Sequence, residues 1–177
     1  MQEVVSSNLT SPTIFAGDFV RITRRLIKTW GPVVLWMGVI FTLSTGLGRA
    51  DNTSRLVEPV LRWLFPDRSP EFIAAAHGVV RKMAHFTEYA VLALLVRRAL
   101  ERSILNGGRG LAVAVYALGI CATYAATDEF HQRFVAGRTP SVHDVLIDSA
   151  GALTALVLAG LWRAWRPRRD SNTRPSV

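Results

Sequence analysis

The sequence predicts an all-α, polytopic integral membrane protein with four transmembrane helices and a short interfacial helix between the first two. Half of the 177 residues are apolar, and basic residues flank the apolar runs. The mean hydropathy is only +0.24 because the long ends of the chain are polar. The apolar residues are concentrated at 30–47, 84–96, 111–127 and 145–162.

The first span is predicted at residues 30–47 and follows four basic residues within 21–28. Signal peptides show a similar pattern, and the small residues around position 49 resemble a cleavage site, so cleavage stays an alternative. The run is longer than the usual apolar region of a signal peptide, which favours a retained helix. Ser44 and Thr45, near its end, are expected to hydrogen-bond back to their own helix. The alternative is that they contribute to a polar site formed with the other spans.

Residues 54–64 predict the short interfacial helix, because apolar and charged side chains segregate to different faces. Its apolar side chains are Leu56, Val60, Leu61 and Leu64, with Trp63 placed near the lipid headgroups, and its charged side chains are Arg55, Glu58 and Arg62.

The sequence predicts the other three spans with different degrees of clarity. The run at 84–96 is shorter than the ~20 residues that a bilayer core requires, but a helix that begins near Phe72 crosses it. The third span, 111–127, contains the single cysteine, Cys121, so no intrachain disulfide is expected. In the fourth, small residues recur at Gly151, Ala155 and Ala159 and predict close helix contact. The terminal segments 1–29 and 166–177 are predicted to be disordered tails around a membrane domain at 30–165.

Charge supports a membrane rather than a nucleic-acid partner. The net charge is +8, but the basic residues flank apolar spans instead of lining one face with interleaved aromatics. Thirteen Lys and Arg residues fall on the side of both termini and eight on the other, which predicts both termini inside. The start of span two, the end of span three and the start of span four then share the outer face.

Polar residues gather at those three points, and intramembrane charge costs several kcal/mol unless it is paired or hydrated. We therefore expect one shallow outward-facing site. Glu88, His85 and Asp128 are the candidates for catalysis, because carboxyl and imidazole groups exchange protons near neutral pH. The candidates for ligand binding are Lys82, Tyr89, Glu129, His131, Gln132, Arg138, Asp144 and Asp148, of which Arg138 suits an anion.

Several readings of these residues stay open. Oxygen and imidazole ligands suit a divalent cation such as Mg, Mn or Zn, although no zinc motif occurs. The charges also suit a purely structural network in a non-enzymatic scaffold. Transport is disfavoured for a monomer, because it requires polar residues at several depths, and the inner halves of the spans contain none beyond flanking arginines. The pattern leaves turnover and oligomeric state undetermined.

The order of the motifs resembles the VanZ-like membrane proteins over about residues 30–165. The resemblance rests on Lys82-x-x-His85-Phe86-x-Glu88-Tyr89, on Asp128-Glu129-x-His131-Gln132 followed by Gly137-Arg138, and on Asp144-x-x-x-Asp148-x-x-Gly151. It implies a four-helix protein of the bacterial inner membrane, in a family whose founding member is linked to low-level teicoplanin resistance and has no settled biochemical activity. The sequence and the resemblance together predict a site that binds or modifies an amphiphile, such as a lipid-linked cell-envelope intermediate.

Overall fold

The computed structural model describes residues 12–45, 50–103, 110–135 and 141–165. Within these ranges the chain is helical and has no strand, which confirms the all-α prediction. The five helices are α1 (Pro12–Ser44), α2 (Ala50–Leu64), α3 (Pro70–Ser103), α4 (Gly110–Gln132) and α5 (Val142–Trp165).

Three of the helices are long and apolar enough to cross a membrane: α1 from Asp18 onward, α4 and α5. The helix predicted as the second span is present as α3, which begins two residues before Phe72 and has 34 residues. At a rise of ~1.5 Å per residue it is about 51 Å long. It carries more charge than the other three and does not reach the same hydropathy, so its composition alone does not mark it as a span.

The prediction of a disordered tail through residue 29 is wrong for residues 12–29, which belong to α1. A helix that is already nucleated extends at little cost, because each added residue forms one more backbone hydrogen bond. Phe19, Ile22 and Ile27 on this extension are largely exposed. Residues 1–11 and 166–177 of the predicted tails lie outside the described residues.

α3 is the central helix and contacts each of the other four, most extensively α5. Trp30 Nε1 donates to Ser103 Oγ (3.0 Å) and Trp36 Nε1 donates to the Glu88 carbonyl oxygen (2.9 Å), so α1 and α3 are antiparallel. The hydroxyl of Tyr124, on the adjacent helix α4, donates to the Met37 carbonyl oxygen of α1 (2.6 Å). We call the two ends of the bundle the Ser44 end and the Trp30 end.

The core of the bundle is rich in alanine, which lets helix backbones approach closely where lipid supplies no hydrophobic driving force. At Gly151 of α5 the approach is closest: a Cβ atom there would overlap the carbonyl oxygen of Phe86 and lie 2.9 Å from its carbonyl carbon. The predicted close helix contact is confirmed at this position. The fully buried alanines are Ala93, Ala99, Ala117 and Ala152.

The predicted short helix between the first two spans is present as α2 and packs on the first turns of α3. Leu61 of α2 and Ile73 of α3 are buried, and the rings of Phe65 and Phe72 meet edge to face at 5.5 Å. Ser69 precedes α3, and its side-chain oxygen accepts a hydrogen bond from the Phe72 amide (3.4 Å), as an N-cap residue does.

Candidate functional site

A polar pocket of about 220 Å³ lies between α3 and α5 at the Ser44 end. Lys82 and His85 of α3 line it together with Asp144 and Asp148 of α5, and all four were predicted site residues. Lys82 is exposed, whereas Asp148 is only 3% exposed. The pocket therefore joins an accessible cation to a buried carboxylate.

His85 lies between two carboxylates. Its Nδ1 atom is 3.8 Å from Asp148 Oδ1 and 3.9 Å from Glu88 Oε2. The register of the two helices explains the arrangement, because the contact between Phe86 and Gly151 brings the preceding turn of α5 beside His85. An imidazole held between two carboxylates is suited to proton exchange.

Asp128 lies where α1 and α4 meet. Its Oδ2 atom accepts hydrogen bonds from Ser44 Oγ (2.5 Å) and from Gln132 Nε2 (3.2 Å). The expectation for Ser44 is therefore wrong, because a buried carboxylate provides a stronger acceptor than the helix carbonyls. The expectation for Thr45 is confirmed, since its hydroxyl donates to the Thr42 carbonyl oxygen (2.5 Å).

Among the buried polar atoms without a hydrogen-bond partner in the described residues are the Tyr89 hydroxyl, Asp128 Oδ1 and Asp148 Oδ1. Each such group costs about 1–3 kcal/mol when it stays unsatisfied. Asp148 also interacts electrostatically with four other carboxylates, which concentrates negative charge at this end of the bundle. Buried acceptors of this kind are typical of sites that complete their hydrogen bonds with water or a ligand. The four carboxylates are those of Glu88, Asp128, Glu129 and Asp144.

Other predicted residues lie at the Ser44 end but do not line the pocket. The His131 ring packs on Phe41 of α1 with ring centroids 4.6 Å apart. Glu129 Oε1 accepts a hydrogen bond from the Ser141 amide (2.5 Å), just before α5. Both contacts fix the end of α4 to its neighbours. Arg138, the predicted anion-binding residue, lies outside the described residues.

Two polar residues that line the pocket were not predicted, His77 and Arg81. They lie two turns and one turn, respectively, before His85 on the same helix, at the i, i+4, i+8 spacing that defines one face. Extending that face toward the start of α3 would have found them. His77 is 8% exposed, and its Nε2 atom is 3.2 Å from Thr53 Oγ1, so this residue also ties α3 to α2.

A divalent cation was left open by the sequence. Within the described parts of the chain, no three His, Cys, Asp or Glu side chains are grouped so that they could hold a metal ion together.

Three helices that are long and apolar enough to cross a membrane are compatible with a multi-pass helical membrane protein. The sequence model of the VanZ/LLP1 family matches residues 29–163, and the chain belongs to this family. This confirms the resemblance drawn from the motifs. No curated protein and no solved structure matches the chain.

Proposed function

We propose that the protein binds the charged headgroup of a cell-envelope amphiphile in the pocket between α3 and α5. The observation that carries the proposal is the pocket itself, in which Arg81 and Lys82 stand at one wall and Asp144 and Asp148 at another. A guanidinium and an ammonium bind phosphate or carboxylate, and carboxylates accept hydrogen bonds from hydroxyl or amine groups. A headgroup that carries both kinds of group matches both walls.

The size of the pocket supports a headgroup rather than a whole lipid. About 220 Å³ lies below the range of ~300–1,000 Å³ that is usual for drug-sized ligands. The acyl chains of the amphiphile would stay in the adjacent leaflet, which the molecule already occupies. His85, flanked by Glu88 and Asp148, is the group that we infer exchanges a proton with the bound headgroup.

The same proposal includes the placement of the chain in the bacterial inner membrane. α3 serves as the second of four spans, because its apolar residues between 89 and 100 pack in the core against α1, α4 and α5. Both termini face the cytoplasm, as the excess of basic residues on that side favours. The pocket then opens outward, and α2 lies at the outer surface with Trp63 at headgroup depth.

Teicoplanin resistance provides the test. The protein is expressed in a susceptible bacterium, and the minimum inhibitory concentration of teicoplanin is compared for wild type and for Lys82→Met, His85→Asn and Asp148→Asn. We expect wild type to raise this concentration and each variant to return it to the empty-vector level, at equal abundance in the membrane. Glu58→Gln is the control, because Glu58 pairs with Arg62 on the exposed side of α2 and not with the pocket.

Two outcomes contradict the proposal. If teicoplanin resistance survives all three substitutions, the pocket is not required for the function. A parallel fall in membrane abundance in all three variants favours the alternative in which the charges form a structural network, because truncation of a buried charged pair is strongly destabilising.

A further inference from the structure

A second cavity lies at the Trp30 end of the bundle, far from the polar pocket. It is a groove of about 530 Å³ between the start of α4 and the end of α5. Its walls are apolar, and the side chains at its edge are exposed, with Leu111 at 80% and Val115 at 60%. Because α4 and α5 are both apolar enough to cross a membrane, a groove between them would be open to the acyl chains of a bilayer.

Two arginines line the same groove, Arg97 of α3 and Arg163 of α5. Arg97 Nε donates to Glu101 Oε1 (3.1 Å), and Arg163 donates to the same oxygen (2.6 Å). Two guanidiniums share one carboxylate, so the cluster carries a net positive charge. Arg97 is only 8% exposed, which makes it a buried cation in the apolar part of the molecule.

The guanidiniums retain capacity for a ligand. Each has five N–H donors, and the hydrogen bonds between described residues use one donor of each. Arg163 lies in the last turn of α5, and the last turn of a helix that spans a bilayer reaches the headgroup region. Basic residues at that depth attract anionic lipids.

We propose that this groove binds an anionic phospholipid, with an acyl chain along α4 and α5 and the phosphate on Arg163 and Arg97. The apolar groove is open to the bilayer and suits an acyl chain. The excess of positive charge at its end favours an anionic headgroup. A zwitterionic lipid fits the groove equally well but gains less from the cluster. The site is separate from the pocket at the Ser44 end and does not depend on its function.

Native mass spectrometry of the purified protein in detergent tests the proposal. The protein is titrated with phosphatidylglycerol and, separately, with phosphatidylcholine of the same acyl chains. We expect wild type to prefer phosphatidylglycerol by about tenfold, the scale of one charge-assisted hydrogen bond. Arg163→Gln should remove most of this preference, and Glu101→Gln should increase it, because the neutral amide leaves both guanidinium charges to the phosphate.

Two glycine-to-leucine variants distinguish the contribution of the apolar groove to lipid binding from that of the arginine charges. A Cβ atom on Gly160 meets no other atom within 4 Å, so Gly160→Leu is accommodated and fills the groove. We expect it to weaken binding of both lipids. Gly119→Leu is the matched control, because Gly119 has the same open surroundings and lines a different groove, on the side of α4 near Tyr116.

Equal binding of the two lipids to wild type overturns the proposal. So does a Glu101→Gln variant that loses thermal stability with its lipid preference unchanged, since that result assigns the three charges a structural role alone. Equal effects of Gly160→Leu and Gly119→Leu would show that lipid associates with the bundle without using this groove.

Discussion

Tyr89 and its neighbour Tyr124 differ in the hydrogen bonding of their hydroxyl groups. This difference allows a ligand-binding role to be distinguished from a structural one. The Tyr89 side chain is completely buried in the core, and its ring lies 6.2 Å from that of Tyr124. The two hydroxyls differ, because that of Tyr124 donates to the Met37 carbonyl oxygen whereas that of Tyr89 has no partner among the described residues. A pair of conservative substitutions therefore measures what each hydroxyl does.

Tyr89→Phe should leave the free energy of unfolding within about 0.5 kcal/mol of wild type or raise it, because no described hydrogen bond is lost. The same substitution should lower teicoplanin resistance if the hydroxyl contacts the bound headgroup. Tyr124→Phe, the control, should destabilise the protein by about 1 kcal/mol through the loss of its bond to α1. Thermal unfolding in detergent provides both values, and an equal loss in the two variants would contradict the assignment.

Asp128 connects two helices next to the pocket. Its partners Ser44 and Gln132 come from α1 and from α4 itself, so the carboxylate holds two helices together near the pocket. It does not line the pocket in which Lys82 and His85 lie. We therefore propose that Asp128 positions α1 and α4, and that the proton exchange belongs to His85.

Among the helices, the pair α3 and α5 determines the geometry of the pocket, and Gly151 determines how close the two helices lie. Gly151→Ala should reduce the free energy of unfolding by about 2 kcal/mol or more, since the added methyl group meets the backbone of Phe86 rather than a movable side chain. Thermal or chemical unfolding in detergent measures it. Gly38→Ala is the matched control, because a Cβ atom on Gly38 of α1 meets no atom within 4 Å.

In the control, the unfolding free energy should stay the same or rise by about 0.4–1 kcal/mol, as the unfolded chain loses conformational freedom. The prediction fails if the two alanine variants are equally stable. A destabilised Gly151→Ala variant should also lose teicoplanin resistance, since it separates His85 from Asp148.

The helices could be predicted from the sequence more completely than the site. Apolar runs predicted the positions of α4 and α5 closely, because composition decides which segments avoid water. For α3, the apolar run predicted only the apolar half of the helix. The predicted start near Phe72 came from the length that a bilayer requires. The extension of α1 before residue 29 was missed, since charged residues such as Arg24 and Arg25 do not interrupt helical propensity.

The polar site was predicted as a region and not as a set of contacts. Helical spacing places Lys82, His85 and Glu88 on one face of α3, but it does not reveal which face of α5 they meet. That depends on the rotation of α5 about its axis, which the packing of Gly151 on α3 determines. For the same reason the inward direction of Tyr89 and the contact of His131 with Phe41 could not be read from spacing.

At the scale of the whole molecule, the orientation in the membrane is open to a direct test. Cys121 is completely buried, so Cys121→Ala gives a cysteine-free background for two single substitutions, Phe134→Cys and Trp165→Cys. Both positions are at least 75% exposed, and they lie at opposite ends of the bundle. In intact cells, an impermeant maleimide should label position 134, and position 165 only after lysis.

The reverse pattern would place the pocket on the cytoplasmic side and exclude an outward-facing site. Labelling of both positions in intact cells would contradict the arrangement in which α5 crosses the bilayer. A chain with α1, α3, α4 and α5 as alternating spans permits only the expected pattern or its reverse.

The length of α3 has a consequence for access to the pocket. Because His85 lies beside Asp148, Val142 at the start of α5 is level with about residue 79 of the parallel helix α3. The preceding residues of α3 form an overhang of roughly 14 Å, at ~1.5 Å per residue, with α2 folded against it. His77 and Arg81 line the pocket from the base of this overhang. A headgroup held there would remain within reach of a water-soluble molecule arriving from the same side, while its hydrocarbon tails never leave the leaflet.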